Sequence, residues 1–390
     1  MEYSQLSKDL TSSLDKKTKK DGGIFFTPPS TVQKTLDVLE PYMNNIQTIL
    51  EPSCGSGEYL KALDGSGEIT GIELNKEIYD SIKNNFKNIL NENFLSFDFK
   101  EKVFDLVIGN PPYYVMKKTE VDKKYLKYFD GRPNIFILFI IKSLELLSEH
   151  GILSFVLPKN FTNCLYYDKT RKFINKNFKI IDIIDCKKDK YLETQQDTIV
   201  LIVQKSESQR NSDYVMKLKE NTIFGTKNTI KELKKLCKNK SSLEELDFKV
   251  SVGNVVWNQV KDKLTDDESK TRLIYSSDIV NNNLVLKKYK NDEKKNFIDK
   301  KGSTEPILVV NRGYGVGDYN FSYCLIEGGG QEYLIENHLI CIKYTGEGEN
   351  KIEKYNELVE KLNHPDTKKF IDLYFGNNAI NTTELRIIPF

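Results

Sequence analysis

Asn110-Pro111-Pro112-Tyr113 stands immediately after the apolar run FDLVIG at 104–109. An exocyclic amine on a heteroaromatic ring is a poor nucleophile, because its lone pair is delocalised into the ring. The side-chain oxygen of Asn110 and the carbonyl of Pro111 can both accept N–H bonds from such an amine. That localises the lone pair and aims it at an electrophilic methyl group. Pro111 and Pro112 fix the backbone, so the acceptors are pre-organised. Tyr113 offers a flat face on which a planar base stacks, worth roughly 1–3 kcal/mol.

A second constellation lies upstream. In ILEPSCGSG (49–57), a strand runs into a turn where Gly55 and Gly57 let the backbone bend sharply and approach a ligand. Glu73 ends the next apolar run, where a carboxylate can accept both hydroxyl protons of a ribose. The glycines do not follow the G-x-G-x-x-G spacing that cradles a pyrophosphate, so a nucleoside without phosphates suits the turn better.

These groups need a rigid frame, and the pattern between 47 and 204 supplies one. Short β-rich runs at 47–51, 69–74, 104–109, 151–157, 179–184 and 198–204 alternate with amphipathic segments such as 75–88 and 133–148. Continuous apolar strands separated by helices predict a parallel, Rossmann-like doubly wound α/β sheet covered on both faces. The last run follows 179–184 after only a polar stretch, which lets it enter the sheet antiparallel. Residues 205–215 are polar and aperiodic, so the domain boundary is placed at 205/206. Beyond it come short strands with Gly- and Asn-rich turns, and helical stretches near 229–239 and 351–363; pattern alone does not give their fold.

Bulk properties narrow the class. The chain has 390 residues, 39% of them hydrophobic and 29% charged, which is ample for two cores. No apolar run is long enough to span a membrane, and the first 21 residues, which lack an apolar stretch, are not expected to act as a secretory signal. The six cysteines form no C-x-x-C pair and there are three histidines, so no metal site and a reducing, cytoplasmic setting are expected. Net charge is +2, and residues 211–390 carry 28 Lys and Arg against 27 Asp and Glu, so any DNA-binding face must arise from local clustering. The Lys- and Asn-rich composition suits an AT-rich bacterial or viral genome.

With these motifs in this order, the sequence resembles the N6-adenine DNA methyltransferases of the gamma motif order, of the kind found in type II restriction–modification. In that order the cofactor motifs come first, NPPY next and the recognition region last. The resemblance implies S-adenosylmethionine as cofactor and double-stranded DNA as partner. It assigns 1–205 as the catalytic domain and 206–390 as an α+β target-recognition domain. GIFFTPPSTV resembles the segment that closes over the methionine part of the cofactor, with Thr27 touching it. Glu51, Pro52, Ser53, Cys54 and Gly55 would line that moiety, and Glu73 would hold the ribose. NENFL (91–95) resembles the motif gripping the cofactor adenine, through Asn93, where the family often has Asp, and Phe94; Pro112 would also contact the cofactor. Asn110 points to adenine, since cytosine-N4 enzymes usually carry Ser there. YLETQQDTIVLIVQKS (191–206) resembles the hairpin supplying a second aromatic for the flipped base, at Tyr191.

The segments VSVGNVVWNQVKDKLTDD, LVVNRGYGVGDYNF, ENHLICIKY and NTTELRIIPF resemble recognition regions. By chemistry, Arg312 beside Gly313, Gly315 and Gly317 suits a phosphate or a guanine edge, and the basic, Tyr-rich 113–132, with Lys117 and Lys118, suits the DNA backbone. Direct in-line transfer without a covalent intermediate is expected, because no Pro-Cys nucleophile is present. Rival readings are an RNA or protein-glutamine methyltransferase sharing the NPPY loop, and a non-catalytic DNA-binding specificity protein. About 185 residues after the sheet favour the DNA enzyme over the first, and intact Glu73 and NPPY count against the second. The 46 residues ahead of the sheet are too few for a nuclease, so any restriction endonuclease is expected to be a separate chain.

Overall fold

The computed structural model describes residues 2–206, 211–287, 289, 293–313, 321–347, 350–375 and 380–390. The apolar runs become strands of one sheet, in chain order β1 (Thr48–Glu51), β2 (Glu68–Ile72), β3 (Ile89–Leu90), β4 (Phe104–Gly109), β5 (Leu147–Pro158), β6 (Phe178–Asp185) and β7 (Thr198–Lys205). Their spatial order is β3-β2-β1-β4-β5-β7-β6. The first five pair in parallel, and β7 inserts antiparallel to both β5 and β6. Two-residue β3 is too short to show a pattern in sequence; it forms because Ile89 and Leu90 find the free edge of β2.

The helices of this region are α1 (Gln5–Ser13), α2 (Lys16–Gly22), α3 (Pro29–Leu39), α4 (Glu58–Ala62), α5 (Lys76–Ile82), α6 (Ile135–Glu145) and α7 (Asp168–Asn177). The helix expected over 75–88 stops at Ile82, before an Asn84-Asn85 pair of low helix propensity. The one expected to 148 stops at Glu145, because Leu147 already pairs with Phe104.

Strand side chains alternate between two cores although both faces are buried. Val107 of β4, Leu153 and Phe155 of β5, and Leu201 and Val203 of β7 pack with α6. Leu106, Ile108, Ile152, Val156, Val200 and Ile202 pack with α3 on the other face. Such two-sided burial is why the strands read as continuous apolar runs.

The chain divides into two compact units, the first running to Lys231 and the second from Glu232 to Phe390. This corrects the boundary expected at 205/206. After the polar stretch, β8 (Val215–Leu218) and β9 (Asn221–Phe224) form a hairpin belonging to the first unit. The fully buried Arg171 of α7 donates to the carbonyl of Thr222, whose amide donates to Asp168 Oδ1 at 2.8 Å. Tyr214 Oη also donates to Ile181 O at 2.8 Å.

The second unit is α+β. One antiparallel sheet holds Phe248–Val252, Leu339–Tyr344, Ile307–Asn311 and Tyr323–Ile326; a smaller mixed one holds Leu264–Thr265, Phe297–Ile298, Thr271–Ile274 and Tyr333–Ile335. Helices Lys351–Asn363, Pro365–Tyr374 and Thr382–Arg386 follow.

Candidate functional site

The carboxyl ends of β1, β2 and β4 open onto a cavity of about 650 Å³, within the range of small-ligand sites. After β1, the chain turns through Gly55 (φ +52°) and Gly57 (φ +79°), the second capping α4. Cys54 N donates to Ile72 O at 2.9 Å, tying this turn to β2. Glu73, just past β2, is buried and fixed. Its Oε2 accepts Gly55 N at 2.9 Å and its Oε1 accepts Asn75 N at 2.7 Å. Burial raises its carboxyl above the usual range, against the lowering pull of those amides. Each oxygen keeps a lone pair for a ligand hydroxyl.

Glu51, the last residue of β1, is also buried, and its Oε2 has no hydrogen-bond partner. Burial first, and then the nearby Glu73, push its carboxyl well above the ordinary value. A buried carboxylate left in that state calls for a cationic partner. Burial, Glu51 and Glu73 likewise raise the Cys54 thiol well above its usual value, so it stays protonated and a poor nucleophile.

Asn110 follows Gly109 at the end of β4. Its carboxamide is held from two sides: Nδ2 donates to Phe25 O at 3.0 Å, and Oδ1 accepts the Tyr113 hydroxyl at 2.6 Å. Ser53 Oγ donates to Asn110 O at 3.2 Å, joining the glycine turn to the NPPY loop. The Tyr113 hydroxyl also lies 2.8 Å from Val156 O, the carbonyl just beyond the pairing of Gly109 with Phe155. The Tyr113 ring stands edge-on to Phe136, centroids 5.9 Å apart. Burial, then Tyr191 and Tyr59, push the Tyr113 hydroxyl far above the usual phenol value. Tyr191 itself has a buried hydroxyl and lines a small gap together with Ile24, Phe25 and Phe26.

Of the expected ligand-binding residues, Pro52, Ser53, Gly55, Glu73, Asn93, Phe94, Asn110 and Pro112 line the cavity. Thr27, Glu51, Cys54, Pro111 and Tyr113 are not part of its wall. Asn93 Oδ1 accepts Leu95 N at 3.0 Å, which leaves one lone pair on that oxygen. Phe94 is buried against Phe139, centroids 4.9 Å apart. Lys117 and Lys118 are exposed beyond the NPPY loop. Arg312 belongs to the second unit, half-buried beside Gly313, and acts electrostatically on Glu336 and His338. Gly315 and Gly317 lie outside the described residues.

Sequence reasoning missed the wall contributed by α2, through Asp15, Lys17, Thr18 and Asp21. A signal was present: Asp15 caps the amides of Lys17 and Thr18, and Gly23 (φ +61°) ends the helix. Gly23 is also a contact point, since a Cβ there would sit 2.8 Å from Tyr113 N. Ile135 and Phe139 of α6 complete the apolar side.

Residues 36–192 match the family model described as Eco57I restriction-modification methylase. The type II methyltransferase M.CvrRI of Paramecium bursaria Chlorella virus XZ-6E is 28% identical over 88% of this chain and 88% of its own length. The modification methylase CviBIII of Paramecium bursaria Chlorella virus NC1A is 27% identical over 100% of this chain and 98% of its own. Among solved structures, a DrdV–DNA complex matches 94% of this chain and 54% of its own chain, with a TM-score of 0.55 at 14% identity, which speaks for shared fold.

Proposed function

We propose that this chain, which belongs to the type II restriction–modification DNA methyltransferases, methylates N6 of an adenine flipped out of double-stranded DNA at a specific sequence. Its cofactor is S-adenosylmethionine, and the first unit has the fold of methyltransferases that use it. The residues present fit that group. Glu73 offers two fixed oxygens to the ribose hydroxyls, and Glu51, buried next to the wall residues Pro52 and Ser53 with a partnerless Oε2, suits the charge of the methionine ammonium. Asn93 and Phe94 offer an amide and an aromatic edge to the adenine. When bound, the cofactor supplies a methyl group made electrophilic by a cationic sulfur.

The chain's own work is to present the nucleophile. Extruding the target adenine costs a few kcal/mol in lost stacking and pairing, and stacking on Tyr113 and Tyr191 offsets part of it. Asn110 Oδ1 and Pro111 O accept the two N6 hydrogens and draw the lone pair out of conjugation. Oδ1 has two lone pairs, so it can keep the Tyr113 hydroxyl while accepting the amine. The proton lost after transfer needs no strong base, since the methylated amine is transiently acidic. Lys117 and Lys118 grip phosphates, and the second unit, Arg312 included, reads the target sequence. The protein's partners are double-stranded DNA and a cognate restriction endonuclease, and the setting is a bacterial or virus-infected cytoplasm.

The observation that carries this reading is the two-sided clamp on the Asn110 carboxamide at the wall of a cavity that also holds Glu73. The test is to incubate the protein with unmethylated genomic DNA and S-adenosylmethionine and map N6-methyladenine base by base. One short motif methylated throughout is expected, and Asn110→Ala abolishes it while cofactor affinity stays near wild type. Methylation that persists in Asn110→Ala refutes the site. No methyladenine with cofactor bound would move the substrate to RNA or a protein glutamine.

A further inference from the structure

α6 begins with seven apolar residues, IFILFII, and its first charged residue is Lys142. The side chain is half-buried, and its ammonium group is fully used. It donates to Phe94 O at 2.6 Å, Phe97 O at 2.7 Å and Leu95 O at 3.2 Å. An ammonium carries three protons, and here three carbonyls of one turn take them. The same nitrogen lies 5.1 Å from the centroid of the Phe94 ring.

The turn cannot satisfy those carbonyls by itself. Its amides face Asn93: Leu95 N donates to Asn93 Oδ1, and Ser96 N and Phe97 N donate to Asn93 O. The carbonyl side therefore needs an outside donor, and a buried carbonyl without one costs about 1–3 kcal/mol. Lys142 is that donor. Ile135 and Phe139, on the same face of α6 at helical spacing, line the cavity next to Asn93, Phe94 and Leu95.

We infer that Lys142 is a positioning residue for cofactor recognition: by holding the carbonyls of Phe94, Leu95 and Phe97, it sets Asn93, whose Oδ1 keeps one lone pair, at the angle that selects adenine in the cofactor. This rests on the reading of the cavity as the S-adenosylmethionine site. Its consequence is selectivity for the purine 6-amino group, which a merely structural lysine would not confer.

The experiment compares equilibrium binding of S-adenosylhomocysteine and S-inosylhomocysteine, which carries a 6-oxo group in place of the amine, to full-length wild-type protein and Lys142→Met. Wild type prefers the adenine form. Lys142→Met is expected to weaken that form roughly tenfold, a loss of about 1.4 kcal/mol, with the inosine form nearly unchanged. Its kcat at saturating cofactor stays at the wild-type level. Equal weakening of both ligands, or an undiminished preference for adenine, would overturn the inference. If Lys142→Met does not fold, Lys142→Gln, which keeps two N–H donors on a shorter arm, carries the same comparison; its preference should fall between wild type and none, and a full wild-type preference would count against the role. Wild-type protein that binds neither ligand would overturn the cofactor reading beneath it.

Discussion

Replacing Tyr113 by Phe separates two jobs that one side chain performs. The hydroxyl lies 2.6 Å from Asn110 Oδ1 and 2.8 Å from Val156 O, and its single proton serves one of them at a time. Without it, Val156 O of β5, beside the end of β4, loses a partner, at a stability cost of about 1–3 kcal/mol. The Asn110 carboxamide keeps only the restraint from Nδ2 to Phe25 O. Loss of one net hydrogen bond of about 1 kcal/mol at the group that aims the nucleophile corresponds to a rate about fivefold lower. Tyr113→Ala also removes the stacking face, worth roughly 1–3 kcal/mol, so it should fall a further five- to 150-fold, roughly. Single-turnover methylation at saturating DNA and cofactor, alongside melting temperatures, reads both. A Phe variant that melts earlier yet transfers methyl at the wild-type rate would show that the hydroxyl only supports the strand end. A Phe variant as slow as the Ala variant would show that the ring adds nothing.

Glu51→Gln should stabilise the ligand-free protein while weakening the cofactor. The folded Glu51 carboxyl is raised, so the folded state binds its proton more tightly than the unfolded chain does. Wild-type stability is therefore full below the ordinary carboxyl range and falls as pH rises through the raised value. Gln escapes that loss, so the variant's advantage in melting temperature should be present at about pH 8 and vanish by about pH 4; an advantage that persists in acid contradicts it. Replacing Lys117 and Lys118 together by Ala should weaken binding to all DNA sequences alike and reduce the slope of log affinity against log salt by about 0.9 for each phosphate the pair neutralises. An unchanged slope would remove them from the interface.

The sheet was legible because burial on both faces keeps its strands mostly apolar: FDLVIG and TIVLIVQ are strands by composition, and β7 enters antiparallel as its short connection allowed. The boundary was not legible. The hairpin over 215–224 is short, and what assigns it to the first unit is tertiary: Val215 and Phe224 pack into that unit's core and the buried Arg171 donates to Thr222 O, a backbone contact that leaves no mark in the sequence. β3 was invisible for a similar reason, being made by an available edge rather than by its own two side chains.

The NPPY loop and Glu73 could be read because their chemistry demands particular side chains. What closes the site around them is backbone, and there the one-letter pattern says little. Phe25 holds Asn110 through its carbonyl, Gly23 admits the NPPY backbone by lacking a Cβ, and Phe94, Leu95 and Phe97 engage Lys142 through carbonyls. Any residue at Phe25 or Leu95 could supply the same oxygen. The informative letters are therefore the partners that cannot be exchanged: a glycine at positive φ beside the NPPY loop, and a lysine that interrupts an apolar helix. Lys142 breaks the pattern of α6, and a charge in such a place persists only where several acceptors surround it. By that logic, an isolated cation within a buried apolar helix marks a loop it must hold, and here that loop carries Asn93 and Phe94 on the cavity wall.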